Sequence, residues 1–379
     1  MANTTPLAAV HERLGATMTD FGGWQMPLKY GSELAEHQAV REAVGLFDLS
    51  HMGQVSVSGE GAEKFLNYAF TGNFSPMSVG RAKYTLMPTA DGGVLDDLII
   101  YRLAETDWLV IPNAGNTPAV LQALSERAET YRSKNTEAGT FTIANIGPER
   151  AIMAVQGPKA AELLSDLGVA VAELKFYTCA PATLSADGAS QDILLARTGY
   201  TGEDGFELYC PAENAEAVWD MIVTAGEKHG LLPAGLAARD SLRLEAGLHL
   251  YGHELNLDVD PYTAGLGSAV SLKKDDDFVG RDVFEEKAAG TPARTLVGLV
   301  AEGRRAARAG YPIQHEGKVV GEVTSGALSP TLKHPVAMAY VDREFAAPDT
   351  CLDVDIRGKL QPYRVVELPF YRRTKKEGN

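Results

Sequence analysis

The periodicity of the chain changes near residue 290, and that change constrains the fold more than any other feature of the sequence. Before it, apolar residues at helical spacing alternate with segments of period two. After it only short alternating strands with glycine turns remain, at residues 295–300, 319–324, 336–341, 352–356 and 363–366. Such spacing predicts a separate all-β domain, a small barrel or Greek key. A chain of 379 residues has room for about two or three domains in all.

Upstream, Tyr84-Thr85-Leu86-Met87 leads through the turn Asp91-Gly92-Gly93 into strands at 94–103 and 108–112, and a helix is expected at 117–131. That order predicts an α+β module on an antiparallel sheet. A similar unit recurs with strands at 151–155, 193–197 and 206–210 and helices at 213–229 and 236–246. Nearer the N-terminus Ser32 reads as the cap of a helix with acidic residues in its first turn. Val55 and Val57 alternate as in a strand, while Phe65, Leu66, Ala69 and Phe70 share helical spacing. The charge run Lys273-Lys274-Asp275-Asp276-Asp277 reads as a solvated linker.

Several function classes are excluded by composition and by missing motifs. Thirty-five basic against fifty acidic side chains give a net charge of −15, which argues against nucleic acid or an anionic membrane as partner. An anionic small ligand is not excluded, because a pocket sets its own field. No apolar run approaches membrane-spanning length, and Met1-Ala2-Asn3-Thr4-Thr5-Pro6 has neither signal nor transit character, so a soluble cytoplasmic protein is expected. Cys179, Cys210 and Cys351 form no disulfide framework and no CxxC pair. There is no P-loop and no GxSxG elbow, and Gly265-Leu266-Gly267 is only a faint dinucleotide echo. His249 and His253 lack HExxH spacing and read as structural, so no metal is expected.

Four stretches hold residues suited to chemistry. In Val94-Leu95-Asp96-Asp97-Leu98-Ile99-Ile100-Tyr101 two carboxylates point to opposite faces of an otherwise apolar strand. At least one is therefore enclosed, either as a catalytic group with a raised pKa or as a cap for backbone amides at a bulge after the Gly-Gly turn. Gly199-Tyr200-Thr201-Gly202-Glu203-Asp204-Gly205-Phe206-Glu207 is a glycine-rich connection ending in a carboxylate. Glu207 suits an aminopyrimidine edge and Tyr200 a flat ring, the alternative being an acidic turn. Arg239 and Arg243 lie one helical turn apart, suited to a carboxylate or ring carbonyl or else to intrahelical ion pairs. Phe370-Tyr371-Arg372-Arg373 could close a pocket or simply be a solvated tail.

Taken together, Phe21-Gly22-Gly23-Trp24-Gln25-Met26-Pro27, Gly45-Leu46-Phe47-Asp48-Leu49-Ser50-His51-Met52-Gly53, Gly92-Gly93-Val94-Leu95-Asp96-Asp97-Leu98, the stretches at 199–207 and 238–247 with Leu250-Tyr251-Gly252-His253, and Val323-Thr324-Ser325-Gly326 closely resemble the aminomethyltransferase (T-protein) of the glycine cleavage system. The resemblance implies an α+β fold of three domains in a cloverleaf around a central folate cavity. Residues 1–52 and 142–270 would form a first, folate-binding α+β domain, 53–141 a second carrying Asp96-Asp97, and 285–379 a C-terminal β-barrel. It further implies transfer of the methylene carbon from the aminomethylated lipoyl arm of the H-protein to the co-substrate tetrahydrofolate, releasing ammonia. By the same resemblance Asp97 is the essential carboxylate, while Glu207, Arg239, Tyr200, Arg372, Asn113 and Tyr84 contact folate. The acidic total charge calls for a locally basic entrance, with Arg239, Arg372 and Lys83 as candidates. Two other readings are a folate-dependent demethylase and a non-catalytic folate-binding factor of iron–sulfur assembly. The second typically carries a cysteine in the loop where this chain has Gly199-Tyr200-Thr201-Gly202-Glu203.

Overall fold

The computed structural model describes residues 2–135 and 139–373. Two sheets packed face to face fill the region before residue 290, and a closed barrel follows. The first sheet has six strands in the order Cys179–Ala186, Ala189–Ala196, Gly205–Pro211, Arg150–Gln156, Val44–Asp48, Leu231–Pro233. Its pairs are antiparallel except the last. Alternation decides its two faces: Leu46, Met153, Val155 and Leu208 pack with Trp219 of the helix Ala215–Gly226, whereas Phe47, Ile152, Ala154 and Tyr209 point the other way.

The second sheet has five antiparallel strands in the order Ala82–Pro88, Val94–Arg102, Asp107–Ile111, Val55–Ser58, Thr142–Asn145. Thr142–Asn145 pairs with Val55–Ser58, so this unit reaches past the boundary expected at 141. Leu98, Ile100 and Trp108 lie with Phe65 and Leu124 of the helices Ala62–Ala69 and Thr117–Lys134. From the opposite face Tyr101, Leu109 and Ile111 meet Phe47, Ile152 and Tyr209 of the first sheet in one shared core.

The barrel closes in the order Arg294–Val300, Pro335–Asp342, Lys318–Leu328, Pro312–His315, Cys351–Asp355, Leu360–Val366. Leu299, Ile313, Val323, Ala339, Val354 and Tyr363 fill its interior. The helix Leu236–Glu245 joins it to the rest. Glu245 accepts from Ser329 and Thr331 of the barrel at 2.5 and 2.7 Å and from Arg41 at 2.8 Å.

Two further features depart from the sequence reading. Asn3–Thr4, Trp24–Lys29 and Thr17–Phe21 form a small sheet where only a Gly- and Trp-rich segment was legible. Its hairpin turns on Gly22 and Gly23, with φ of 58° and 84°, the positive pair a two-residue turn requires. The expected linker at 273–277 is not solvated throughout, because Lys274 is buried. Its ammonium donates to the carbonyls of Asn67, Phe70 and Gly72 at 2.6, 2.6 and 2.9 Å. A cation there meets the unpaired carbonyls at the C-terminal end of Ala62–Ala69, where the helix dipole favours positive charge.

Candidate active site

Strand periodicity separates the two adjacent aspartates. Asp96 shares the helix-covered face with Val94 and Leu98, and Asp97 shares the opposite face with Ile99 and Tyr101. Asp96 is fully enclosed and accepts from the Asn113 amide N–H at 2.9 Å and from the side-chain amides of Asn113 and Asn116, each at 2.8 Å. The register also slips between Met87 and Pro88, opposite Leu95, so the bulge and the capping role apply to this carboxylate. Asp97 is half-buried and accepts from the Tyr84 hydroxyl at 3.0 Å and from Asn113 Nδ2 at 3.1 Å. Burial raises the pKa of both acids, that of Asp96 to about 7 with the Asp97 charge adding to it. Hydrogen bonds from Tyr84 and Asn113 and the nearby His249 partly offset the rise for Asp97.

Glu207 comes from the first sheet, on Gly205–Pro211. One of its oxygens, Oε2, lies 2.8 Å from Thr198 Oγ1, 2.9 Å from the Tyr209 hydroxyl and 3.2 Å from the Tyr101 hydroxyl. The other, Oε1, has no hydrogen-bond partner among the described residues. The connection before this strand carries Tyr200, whose hydroxyl donates to the His249 carbonyl. The Arg239 guanidinium lies over the Tyr200 ring at 4.8 Å from its centroid. Among the described residues Arg239 makes no ion pair, and burial lowers its pKa. The charges of Tyr200 and Glu207 act on it in the opposite sense.

One turn on, Arg243 behaves differently. It pairs with Asp240 at 2.7 Å and Glu254 at 3.2 Å and donates to Ser325 Oγ at 2.9 Å. The ion-pair reading of this helix thus holds for Arg243, and Arg239 is left free. His249 Nε2 lies 2.8 Å from the Ala264 carbonyl, a structural bond. Among the described residues no group of three His, Cys, Asp or Glu side chains is placed to hold a metal.

The structure therefore brings Asp97, Tyr84 and Asn113 into one hydrogen-bonded group and sets Tyr200, Arg239 and Glu207 beside it. Their proximity is electrostatic as well: burial raises the pKa of both Tyr84 and Tyr200, and the Asp97 charge adds to the rise. Arg372 is exposed, directly after Tyr371, whose ring packs against Arg41. Lys83 is half-buried, and burial lowers its pKa. Missed from sequence were Tyr101, Thr198 and Tyr209; Tyr209 shares a strand face with Glu207 and was open to the period-two reading, whereas Tyr101 reaches Glu207 only through long-range packing. His51 was also missed: it is buried, its Nδ1 has no partner, and burial holds its pKa down at about 4. No helix of the described residues is long and apolar enough to cross a membrane.

Residues 7–274 match the family model of the GCVT N-terminal domain, and 294–372 match that of the glycine cleavage T-protein C-terminal barrel domain. An aminomethyltransferase of Streptomyces avermitilis is 53% identical over 376 residues, with 98% of each chain covered. One of Bacillus subtilis is 43% identical over 374 residues, covering 98% of this chain and 100% of its own. The crystal structure of glycine cleavage system aminomethyltransferase T from Bartonella henselae matches with a TM-score of 0.89 at 37% identity, covering 99% of this chain and 100% of that one. Family models across both regions, full-length relatives and a shared three-part fold agree: the chain belongs to the glycine cleavage T-protein family of aminomethyltransferases.

Proposed function

We propose that the cluster around Asp97 binds tetrahydrofolate and carries the methylene transfer from the aminomethylated lipoyl arm of an H-protein. One observation supports this most: among the described residues Glu207 Oε1 accepts no hydrogen bond and Arg239 makes no ion pair, while the Glu207 charge acts on Arg239. The edge of a reduced pterin presents two N–H donors next to a carbonyl, the complement of that pair. Tyr200 supplies a flat apolar surface alongside. Arg372 and Lys83, nearer the exterior, suit the carboxylates of the folate tail.

Bound tetrahydrofolate supplies the nucleophilic nitrogen. Loss of ammonia from an N–CH2–S carbon leaves that carbon short of electrons; it bonds to two folate nitrogens as the C–S bond breaks and the lipoyl arm leaves as the free dithiol. The Asp97 carboxylate, fixed by Tyr84 and Asn113, is positioned to stabilise the positive charge and to orient the pterin. Because Tyr84 donates to Asp97, and burial and that charge raise its own pKa, Tyr84 keeps its proton. Much of the acceleration comes from holding two substrates in contact.

The test mixes purified protein, tetrahydrofolate and aminomethylated H-protein, following ammonia and 5,10-methylenetetrahydrofolate together. Equal, folate-dependent release of both is expected. Folate binding without either product would refute this reading of the site and favour a demethylase or a folate-binding accessory role.

A further inference from the structure

We propose that Tyr101, Thr198 and Tyr209 are positioning residues that aim Glu207 at the pterin edge and fix its distance from Asp97, an inference that rests on the folate reading above. Buried hydroxyls need partners, and most find a backbone carbonyl. Here three converge on one oxygen of one carboxylate, at 2.8, 2.9 and 3.2 Å. The rings of Tyr101 and Tyr209 meet edge to face with centroids 5.8 Å apart, and their hydroxyls are 3.1 Å apart. Thr198 is held in turn, since Gln156 Nε2 donates to its carbonyl at 3.1 Å. With Oε2 held from three directions, the carboxylate cannot rotate without breaking bonds, and Oε1 alone is left for a ligand.

Tyr101 carries the second half of the inference. It lies on the Asp97 strand, on the same face, separated by Ile99. Four residues of extended chain set a Cα separation of about 13 Å. The strand that presents the reacting carboxylate of the second unit therefore also grips the pterin-reading carboxylate of the first. Two acids on different sheets acquire a fixed spacing through one tyrosine hydroxyl.

The test uses the full-length variants Tyr101→Phe, Tyr209→Phe and Thr198→Val, which remove a hydroxyl and keep the shape, with Glu207→Gln as reference. Binding of tetrahydrofolate and of its 2-desamino-2-methyl analogue is measured with KM, kcat and Tm. Each hydroxyl variant should raise KM for tetrahydrofolate about tenfold and narrow its preference over the analogue, with Tyr101→Phe also lowering kcat. Hydroxyl variants that lose Tm but keep KM and analogue discrimination would overturn the proposal, leaving core packing as their role. If Glu207→Gln loses discrimination while the hydroxyl variants do not, only this inference fails. If Glu207→Gln itself changes neither quantity, the pterin role of Glu207 fails and this inference falls with it.

Discussion

Arg239→Met and Arg243→Met alter the same residue type on the same helix, one turn apart, and the structure assigns them opposite outcomes. Arg243 is 2% exposed and anchors Glu254, itself fully buried, along with Ser325 and the Leu248 carbonyl. Removing one member of such a buried pair leaves the other charge uncompensated, which costs about 3–5 kcal/mol. Asp240 adds little to this, because its side chain is 56% exposed. The Arg243→Met protein should thus melt roughly 10 °C lower. Arg239 stabilises no acid. Its replacement forfeits a contact with Tyr200 of about 1 kcal/mol and relieves the burial of an unpaired charge, so the melting temperature should barely move. Losing a charge-assisted hydrogen bond to the pterin carbonyl, about 1.5–3 kcal/mol, should weaken folate binding roughly 10- to 100-fold. Differential scanning calorimetry and titration with 5-formyltetrahydrofolate read the two effects separately. An Arg239→Met protein that is destabilised as strongly as Arg243→Met, and binds folate normally, would show that the free guanidinium is structural.

Four further outcomes follow from the same geometry. Asp97→Asn should lower kcat by about 10²–10³ with folate affinity changed only a few-fold; unaltered turnover would remove Asp97 from the mechanism. Because burial raises the pKa of Asp97 above that of an ordinary aspartate, kcat/KM should fall on the acid side at a higher pH than an unperturbed carboxylate would give. Burial and then the Asp97 charge put Asp96 at about 7, so Asp97→Asn should lower the pKa of Asp96 as followed by carboxyl NMR titration; an unmoved Asp96 titration would contradict coupling of the pair. Burial opposes ionisation of Glu245, yet bonds from His37, Ser329 and Arg41 hold its pKa at about 2 against an ordinary 4.5. A depressed acid stabilises above the unfolded value, so roughly 3 kcal/mol should be present at pH 7 and lost between pH 4.5 and 2, read as a urea midpoint gap between wild type and Glu245→Gln that closes in acid. Finally, Lys274→Met strips three carbonyls of their donor and should cost about 2–3 kcal/mol, with faster amide exchange at the end of Ala62–Ala69; unchanged exchange would argue against the capping role.

Local signals were legible where local forces decide. Ser32 does cap Glu33–Glu42, donated to by the Ala35 amide at 3.4 Å. The period-two runs became the strands Ala82–Pro88 and Val94–Arg102, and the glycine-spaced strands after residue 290 closed into a barrel. Alternation showed that Asp96 and Asp97 part company, but not which faces the helices, because both faces of that strand are apolar and both are covered. Lys274 looked solvated for a related reason: its partners are carbonyls of a helix some two hundred positions earlier, at a sequence separation of 207 for Asn67. Tyr101 and Tyr209, 108 residues apart, carry no local mark of their shared task. Arg239 and Arg243 are locally equivalent, and only the position of the acids around them makes one structural and leaves the other free.

That last distinction bears on why the barrel is present at all. Among the described residues none of the side chains hydrogen-bonded to Asp97 or Glu207 comes from its strands. Its contribution is to hold the neighbouring helix and loop: Thr324 donates to Glu254 at 2.6 Å, Ser325 accepts from Arg243, and Ser329 and Thr331 bind Glu245. An apolar contact could stabilise the same interface as well, since desolvation offsets much of what a buried ion pair gains. It would not fix the rotation of Leu236–Glu245 about its axis. Among the described residues Glu254 is bonded to Arg243 and Thr324, and Glu245 to Arg41, Ser329 and Thr331. Arg239 lies over the Tyr200 ring, within the field of Glu207 and near His51. The directional bonds at the barrel interface thus hold Glu254 and Glu245 to partners other than Arg239, whose guanidinium makes no ion pair among the described residues.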